Sequence, residues 1–124
     1  GNYLLADELT YRLRAPERRE VVVFKSPVGK DYFIKRVVAL PGEEVEINGD
    51  RVYVAGKPLP EDYLYGAKTP IDLKVKLKQN QYFVLGDNRG YSFDSRSWGP
   101  LDRDSLVGIV RLRLWPLNKV MAYN

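Results

Sequence analysis

The eleven residues Gly86-Asp87-Asn88-Arg89-Gly90-Tyr91-Ser92-Phe93-Asp94-Ser95-Arg96 hold two serines, two aspartates and two arginines. They directly follow the strand-like run Tyr82-Phe83-Val84-Leu85. Polar groups carried by a loop on a rigid strand are a common form of functional site. Two carboxylates this close raise metal binding and glycoside chemistry. However, Asp94 beside Arg96 reads as charge pairing, and no calcium-loop spacing is present.

The remaining residues restrict the chemistry further. The chain has no histidine and no cysteine. The usual general base of hydrolases is therefore missing, as are the commonest metal ligand, thiolate nucleophiles and disulfides. A hydrolytic mechanism must then use a carboxylate or a lysine. A lysine acts as a base only if its pKa falls by several units, which burial among apolar groups achieves. Lys35 is the candidate. In the strand-like segment Tyr32 to Ala39, period-two alternation places Phe33, Lys35 and Val37 on one side. From the residues alone, a lysine so placed more often snorkels to the surface than stays desolvated. Lys74, Lys76 and Lys78 alternate with Leu73, Val75 and Leu77 and read as a solvated face.

The elements that must position these groups are mainly β. A length of 124 residues, 44% hydrophobic and 29% charged, suits one globular domain with a single core. Twenty basic against sixteen acidic residues give +4, most simply a solvated basic face. Short β-type runs recur between Gly, Pro, Asn and Asp clusters, which predicts an antiparallel sandwich- or barrel-like domain. Val21 to Phe24 reads as a buried strand and Tyr32 to Ala39 as a second. Glu44–Ile47 and Val52–Val54 flank Asn48-Gly49-Asp50, a hairpin signal. Val110, Leu112 and Leu114 alternate with arginines. A strand is expected at Tyr3–Ala6, and a short helical turn beginning at Asp102 to Ser105. The stretch from about 43 to 80 reads as a hairpin and ribbon elaboration within one domain spanning 1–124. No run of 18 apolar residues and no signal peptide is present. The opening Gly1-Asn2, without methionine, is compatible with a piece of a longer chain.

Lys35-Arg36-Val37-Val38-Ala39-Leu40-Pro41-Gly42-Glu43 resembles the lysine box of the type I signal peptidases, with Ala39 where glycine is commoner. Gly86 to Arg96 resembles the same family's Gly-Asp-Asn-x-x-x-Ser-x-Asp-Ser-Arg box at every fixed position. Arg19-Glu20-Val21-Val22-Val23-Phe24 resembles a third box, with Arg19 and Glu20 replacing the usual Gly and Asp. Leu114-Trp115-Pro116-Leu117 is similar to the closing segment. The boxes stand in the family's order, and Lys35 and Ser92 are 57 positions apart.

The resemblance implies a membrane-bound serine endopeptidase that removes signal peptides from exported preproteins, with no cofactor or metal and its catalytic domain on the extracytoplasmic face. It implies a Ser–Lys dyad in which Lys35 is the general base and Ser92 orients its amine. Asp94 and Arg96 would pair to support the loop, with Ser95 among the supporting residues. Asp87 and Asn88 are expected to bond the loop's own backbone. Gly86 and Gly90 are expected at positions of positive φ or tight approach. The family's nucleophile lies in a Ser-Met-x-Pro-Thr box that these 124 residues do not contain, and Ser26, Ser95, Ser97 and Ser105 match no such box. The expectation is that this chain alone does not cleave peptides.

Other readings are a non-catalytic module that binds signal peptides or membrane, and a Ser–Lys repressor-type autoprotease, which the Gly86–Arg96 loop fits poorly. A nucleic-acid binder is disfavoured, because Tyr63 and Tyr65 lie beside Glu61 and Asp62 rather than among basic residues. For Trp98 and Trp115 a core role is the default over a membrane interface.

Overall fold

The computed structural model describes residues 4–7, 14–64, 68–90 and 93–112. Its strands are β1 (Leu4–Asp7), β2 (Val21–Lys25), β3 (Tyr32–Ala39), β4 (Glu44–Asn48), β5 (Arg51–Val54), β6 (Lys57–Pro58), β7 (Leu73–Lys76), β8 (Gln81–Leu85), β9 (Leu101–Asp102) and β10 (Leu106–Leu112). One helical turn, α1 (Ser95–Trp98), follows β8. The strands form two open antiparallel sheets, ordered β1-β10-β2-β3-β8-β9 and β6-β5-β4-β7. The mainly β class matches the reading of the sequence. Among the described residues neither sheet closes on itself into a complete barrel.

Strand β3 ties the two sheets together. Its first half pairs with β2, Val22 opposite Lys35, and its second half pairs with β8, Val37 opposite Val84. The register slips between Val37 and Ala39, and a bulge of this kind re-aims the side chains that follow it. Val37 accordingly packs with Val22, Phe24 and Ile109 in one core. Val38 and Ala39 pack with Val45, Ile47 and Val54 in another. Strand β8 is shared in the same way: Tyr82 and Val84 enter the first core, Phe83 and Leu85 the second. A strand covered on both faces has no reason to alternate polar and apolar residues. That accounts for the unbroken apolar run before the polar loop.

The chain leaves β3 through a tight turn. Pro41 precedes Gly42 at φ 81°, the pattern of a type II turn, and Glu43 N donates to Leu40 O at 3.1 Å. The Glu43 side chain accepts from Leu40 N at 2.7 Å and binds both guanidinium nitrogens of Arg18 at 2.6 and 2.7 Å. The β4–β5 hairpin then turns at Gly49 and Asp50, φ 59° and 66°, between the paired Asn48 and Arg51. Both central residues at positive φ make the primed turn that matches strand twist. Ala55 and Gly56, φ 52° and 80°, repeat it between β5 and β6, a hairpin the sequence reading did not resolve. On β7, Leu73 and Val75 are half-buried while Lys74 and Lys76 are exposed, as the alternation predicts.

Three smaller expectations are corrected or bounded. The turn after Asp102 is a 3-10 turn, Arg103–Ser105, and Asp102 makes no side-chain cap bond. The side-chain cap is made instead by Asp94 at α1, where no helix was expected. The expected strand at Tyr3–Ala6 appears as β1, with Tyr3 outside the described residues, as are Tyr65 and Leu114 to Leu117.

Ile71 has φ 78° and is 60% exposed. A β-branched residue rarely occupies the left-handed region, and doing so costs about 1–2 kcal/mol. Glycine removes that cost but loosens the unfolded chain by about 0.4–1 kcal/mol. Ile71→Gly should therefore raise the unfolding free energy by about 1 kcal/mol. A urea midpoint that falls instead would contradict the strain at this position.

Candidate active site

Lys35 lies in the middle of β3, between β2 and β8, and only 7% of its surface is exposed. The snorkelling expected of an isolated lysine does not occur. Its amine sits 5.8 Å from the centre of the Phe33 ring, on the face also bearing Val37. Burial pushes its pKa below the ordinary 10.5. The charge of Asp94 opposes that shift, Arg96 adds to it, and Asp87 opposes it. Desolvation prevails because a charged amine loses more hydration than the nearby carboxylates return.

The polar loop is closed by bonds to one buried carboxylate. Asp94 is fully buried. Its Oδ1 accepts from Arg96 N at 3.1 Å and Arg96 Nε at 2.9 Å. Its Oδ2 accepts from Gly86 N at 3.0 Å and Arg96 Nη2 at 2.8 Å. The carboxylate thus caps α1, holds the exit of β8 and pairs bidentately with Arg96. Arg96 Nη1 also donates to Arg89 O at 2.7 Å, and Arg89 Nε donates to Gly86 O at 2.7 Å. Ser95 Oγ accepts from Val84 N at 3.0 Å, which fastens the start of α1 to β8. Trp98 packs edge-on against Phe24 and Phe93, ring centres 5.7 and 6.4 Å away, in keeping with a core role.

Other assignments within the loop are corrected. Among the described residues the Asp87 carboxylate makes no bond within its own loop. It accepts from Arg36 Nε at 3.0 Å and Nη2 at 2.9 Å, clamping the loop to the strand that carries Lys35. Asn88 is exposed and makes no hydrogen bond among the described residues. Gly86 and Gly90 are not among the glycines at positive φ, and a Cβ on Gly90 would meet nothing within 4 Å. Gly86 matters through its backbone amide and carbonyl. Ser92 lies outside the described residues. Arg19, where the family box has glycine, is at φ 77°, so the backbone there keeps a conformation that glycine adopts freely.

The sequence reading missed several partners. Arg36 Nη1 donates to Arg19 O at 2.7 Å, and its guanidinium lies 4.1 Å from the Tyr63 ring centre. Burial, with Glu61 nearby, pushes the Tyr63 phenol up to about 12. Arg89, only 2% exposed in its side chain, lies 2.6 Å from Glu61, an ion pair through Nη2. That contact lacks hydrogen-bond angles, so charge attraction rather than a directed bond holds it. Arg89 Nη1 donates to Thr69 Oγ1 at 2.9 Å. No local spacing joins these residues; only Arg36 and Arg89, inside the two boxes, were within sight.

The family model for signal peptidases, peptidase S26, matches residues 1–115. The chain belongs to the signal peptidase S26 family. It is 43% identical to the probable signal peptidase I-2 of Synechocystis sp. over 123 residues, covering 94% of this chain and 56% of that protein. It is 38% identical to signal peptidase I V of Bacillus subtilis over 124 residues, covering 89% of this chain and 73% of that protein. The crystal structure of a signal peptidase I from Enterococcus faecalis superposes with a TM-score of 0.71 at 32% identity, covering 79% of this chain and 98% of that one. The chain thus spans little more than half the length of the Synechocystis relative.

Two outcomes follow from the geometry. Asp94→Asn removes the charge paired with buried Arg96, and breaking such a pair costs about 3–5 kcal/mol, readable as a lower denaturation midpoint. Lys35→Met should be more stable than the parent at pH 7. The native chain binds fewer protons than the unfolded one between the lowered pKa of Lys35 and 10.5, so the parent gains stability as pH rises through that window. The difference between the two proteins should shrink towards pH 10.5. A difference constant with pH would show that the Lys35 amine is not desolvated.

Proposed function

We propose that this chain carries the general base of a signal peptidase I, a serine endopeptidase that removes signal peptides from exported preproteins. The observation that supports this reading is Lys35, a lysine buried at the centre of a strand beside a tightly bonded polar loop, in a chain of this family. In the proposed dyad, neutral Lys35 takes the proton of a serine hydroxyl as the serine oxygen bonds to the scissile carbonyl carbon. The resulting ammonium then returns the proton to the departing amine as the C–N bond breaks. Water, deprotonated by the same amine, cleaves the acyl ester and regenerates the serine. Ser92 is proposed to orient the Lys35 amine by accepting a hydrogen bond from it or donating one to it.

The nucleophile is proposed to come from outside these 124 residues, because no Ser-Met-x-Pro-Thr box occurs among them. On this reading the polypeptide as given does not cleave preproteins by itself. Membrane attachment and an extracytoplasmic position belong to the same proposal. No helix among the described residues is long and apolar enough to cross a membrane.

The test is preprotein cleavage by the gene's product, including whatever is encoded upstream of Gly1. Lys35→Ala should lower the rate by about a thousandfold or more. Lys35→Arg should do the same, since a guanidinium stays protonated. The parent's rate should rise with pH through the lowered Lys35 pKa. Cleavage that survives Lys35→Ala would overturn the dyad, and Lys35-dependent cleavage by residues 1–124 alone would overturn the outside nucleophile.

A further inference from the structure

Among the described residues, the connection that follows the β4–β5 hairpin carries the second sheet to the catalytic loop. Leu59 N donates to Val52 O at 2.9 Å, and Thr69 N donates to Asp50 O at 2.8 Å, so both ends of the segment are fastened to the β4–β5 hairpin. Between them, Glu61 projects onto Arg89 at 2.6 Å, with side chains 9% and 2% exposed. Thr69, fully buried, accepts from Arg89 at 2.9 Å. Tyr63 stacks on Arg36, which grips Asp87. The loop Gly86 to Arg96 is therefore held from two sides: by β3 through Arg36, and by the second sheet through Arg89.

We propose that Glu61 is a positioning residue: through its buried ion pair with Arg89 it holds the Gly86–Arg96 loop against the strand that carries Lys35, making the second sheet part of the base's setting. The role depends on the charge of Glu61. Arg89 already gives Nε to Gly86 O and Nη1 to Thr69. The carboxylate neutralises a guanidinium that would otherwise be buried with full charge and would draw outward to water. If Arg89 moved out, Gly86 O and the Asp94–Arg96 unit would lose their tether, and water would reach the Lys35 amine. Among the described residues, the charges acting on that amine are those of Asp94, Arg96 and Asp87; β2 presents Val22 opposite it, and β8 is apolar from Tyr82 to Leu85. Desolvation is the largest influence on Lys35, so hydration would return it towards 10.5. The catalytic meaning of this role rests on the signal peptidase reading; the placement of Lys35 does not.

The experiment is a nitrogen-detected NMR titration of the Lys35 amine in the parent chain and in Glu61→Gln. The expected result is a midpoint about one pH unit higher in the variant. In the cleaving protein, at any pH below both midpoints, a base with a pKa one unit higher has about a tenth of its neutral form. On that acid limb kcat should fall about tenfold with KM little changed, and the deficit should disappear at alkaline pH. Glu61→Asp, which keeps the charge, should recover most of the loss. If Glu61→Gln does not fold, the pair Glu61→Leu with Arg89→Met replaces two charges by apolar groups of similar size and should fold. It still lacks the bonds to Gly86 and Thr69, so it should show the same raised midpoint. A folded variant whose Lys35 midpoint equals the parent's overturns the proposal. An absence of cleavage in the parent would fail the enzymatic reading alone, and the titration would still decide the role of Glu61.

Discussion

A lysine amine kept out of water is the condition around which this structure is arranged. Removing an ammonium from water is costly, so the fold must supply a place where the neutral form is preferred. It does so by setting Lys35 at the centre of β3, between strands whose neighbouring residues are apolar, with Phe33 and Val37 on its own face. The nearby charges are kept from reversing the effect. Asp94 opposes the effect most strongly, because a free carboxylate would pull a proton onto the amine. Its negative charge is instead spent on Arg96 and on backbone amides. Asp87 is engaged in the same manner by Arg36. The paired carboxylates shape the loop and leave the lysine governed mainly by burial.

The two sheets are joined by strands that serve both. The bulge between Val37 and Ala39 lets β3 bury one set of residues in the first core and the next set in the second. Lys35 precedes the bulge and therefore belongs to the first face. The Pro41-Gly42 turn follows it, and Glu43 locks that turn to Arg18. The lysine box is thus also an architectural unit. Its first residue belongs to the site, its middle crosses between cores, and its end launches the second sheet. Close-packed cores resist shifts of even small size, which favours a fixed position for the amine.

Arginine dominates the polar framework for a geometric reason. Arg18, Arg36, Arg89 and Arg96 each bind more than one acceptor, and a planar guanidinium offers several donors in a fixed fork. Lysine would satisfy fewer partners at each place and would be open to losing its charge. Lys35, the one buried lysine among the described residues, therefore stands out among the buried cations by being the group whose charge can be removed.

Sequence alone determined the β class, most strand positions and the turn at Gly49 and Asp50, because alternation and turn chemistry act between near neighbours. It also singled out Lys35 and the Gly86–Arg96 loop, through the absence of histidine and cysteine and through two boxes in family order. It placed Asp94 with Arg96 because they are two residues apart. Only the tertiary structure decided that Lys35 is buried rather than snorkelling, since both outcomes share one local pattern and differ in what covers the strand. The same holds for Asp87, whose partner Arg36 is 51 residues away, and for Arg89, whose partner Glu61 lies on another sheet's connection. Such pairs are chosen by how strands stack after the chain has folded, and the local rules that shape each strand carry no information about them.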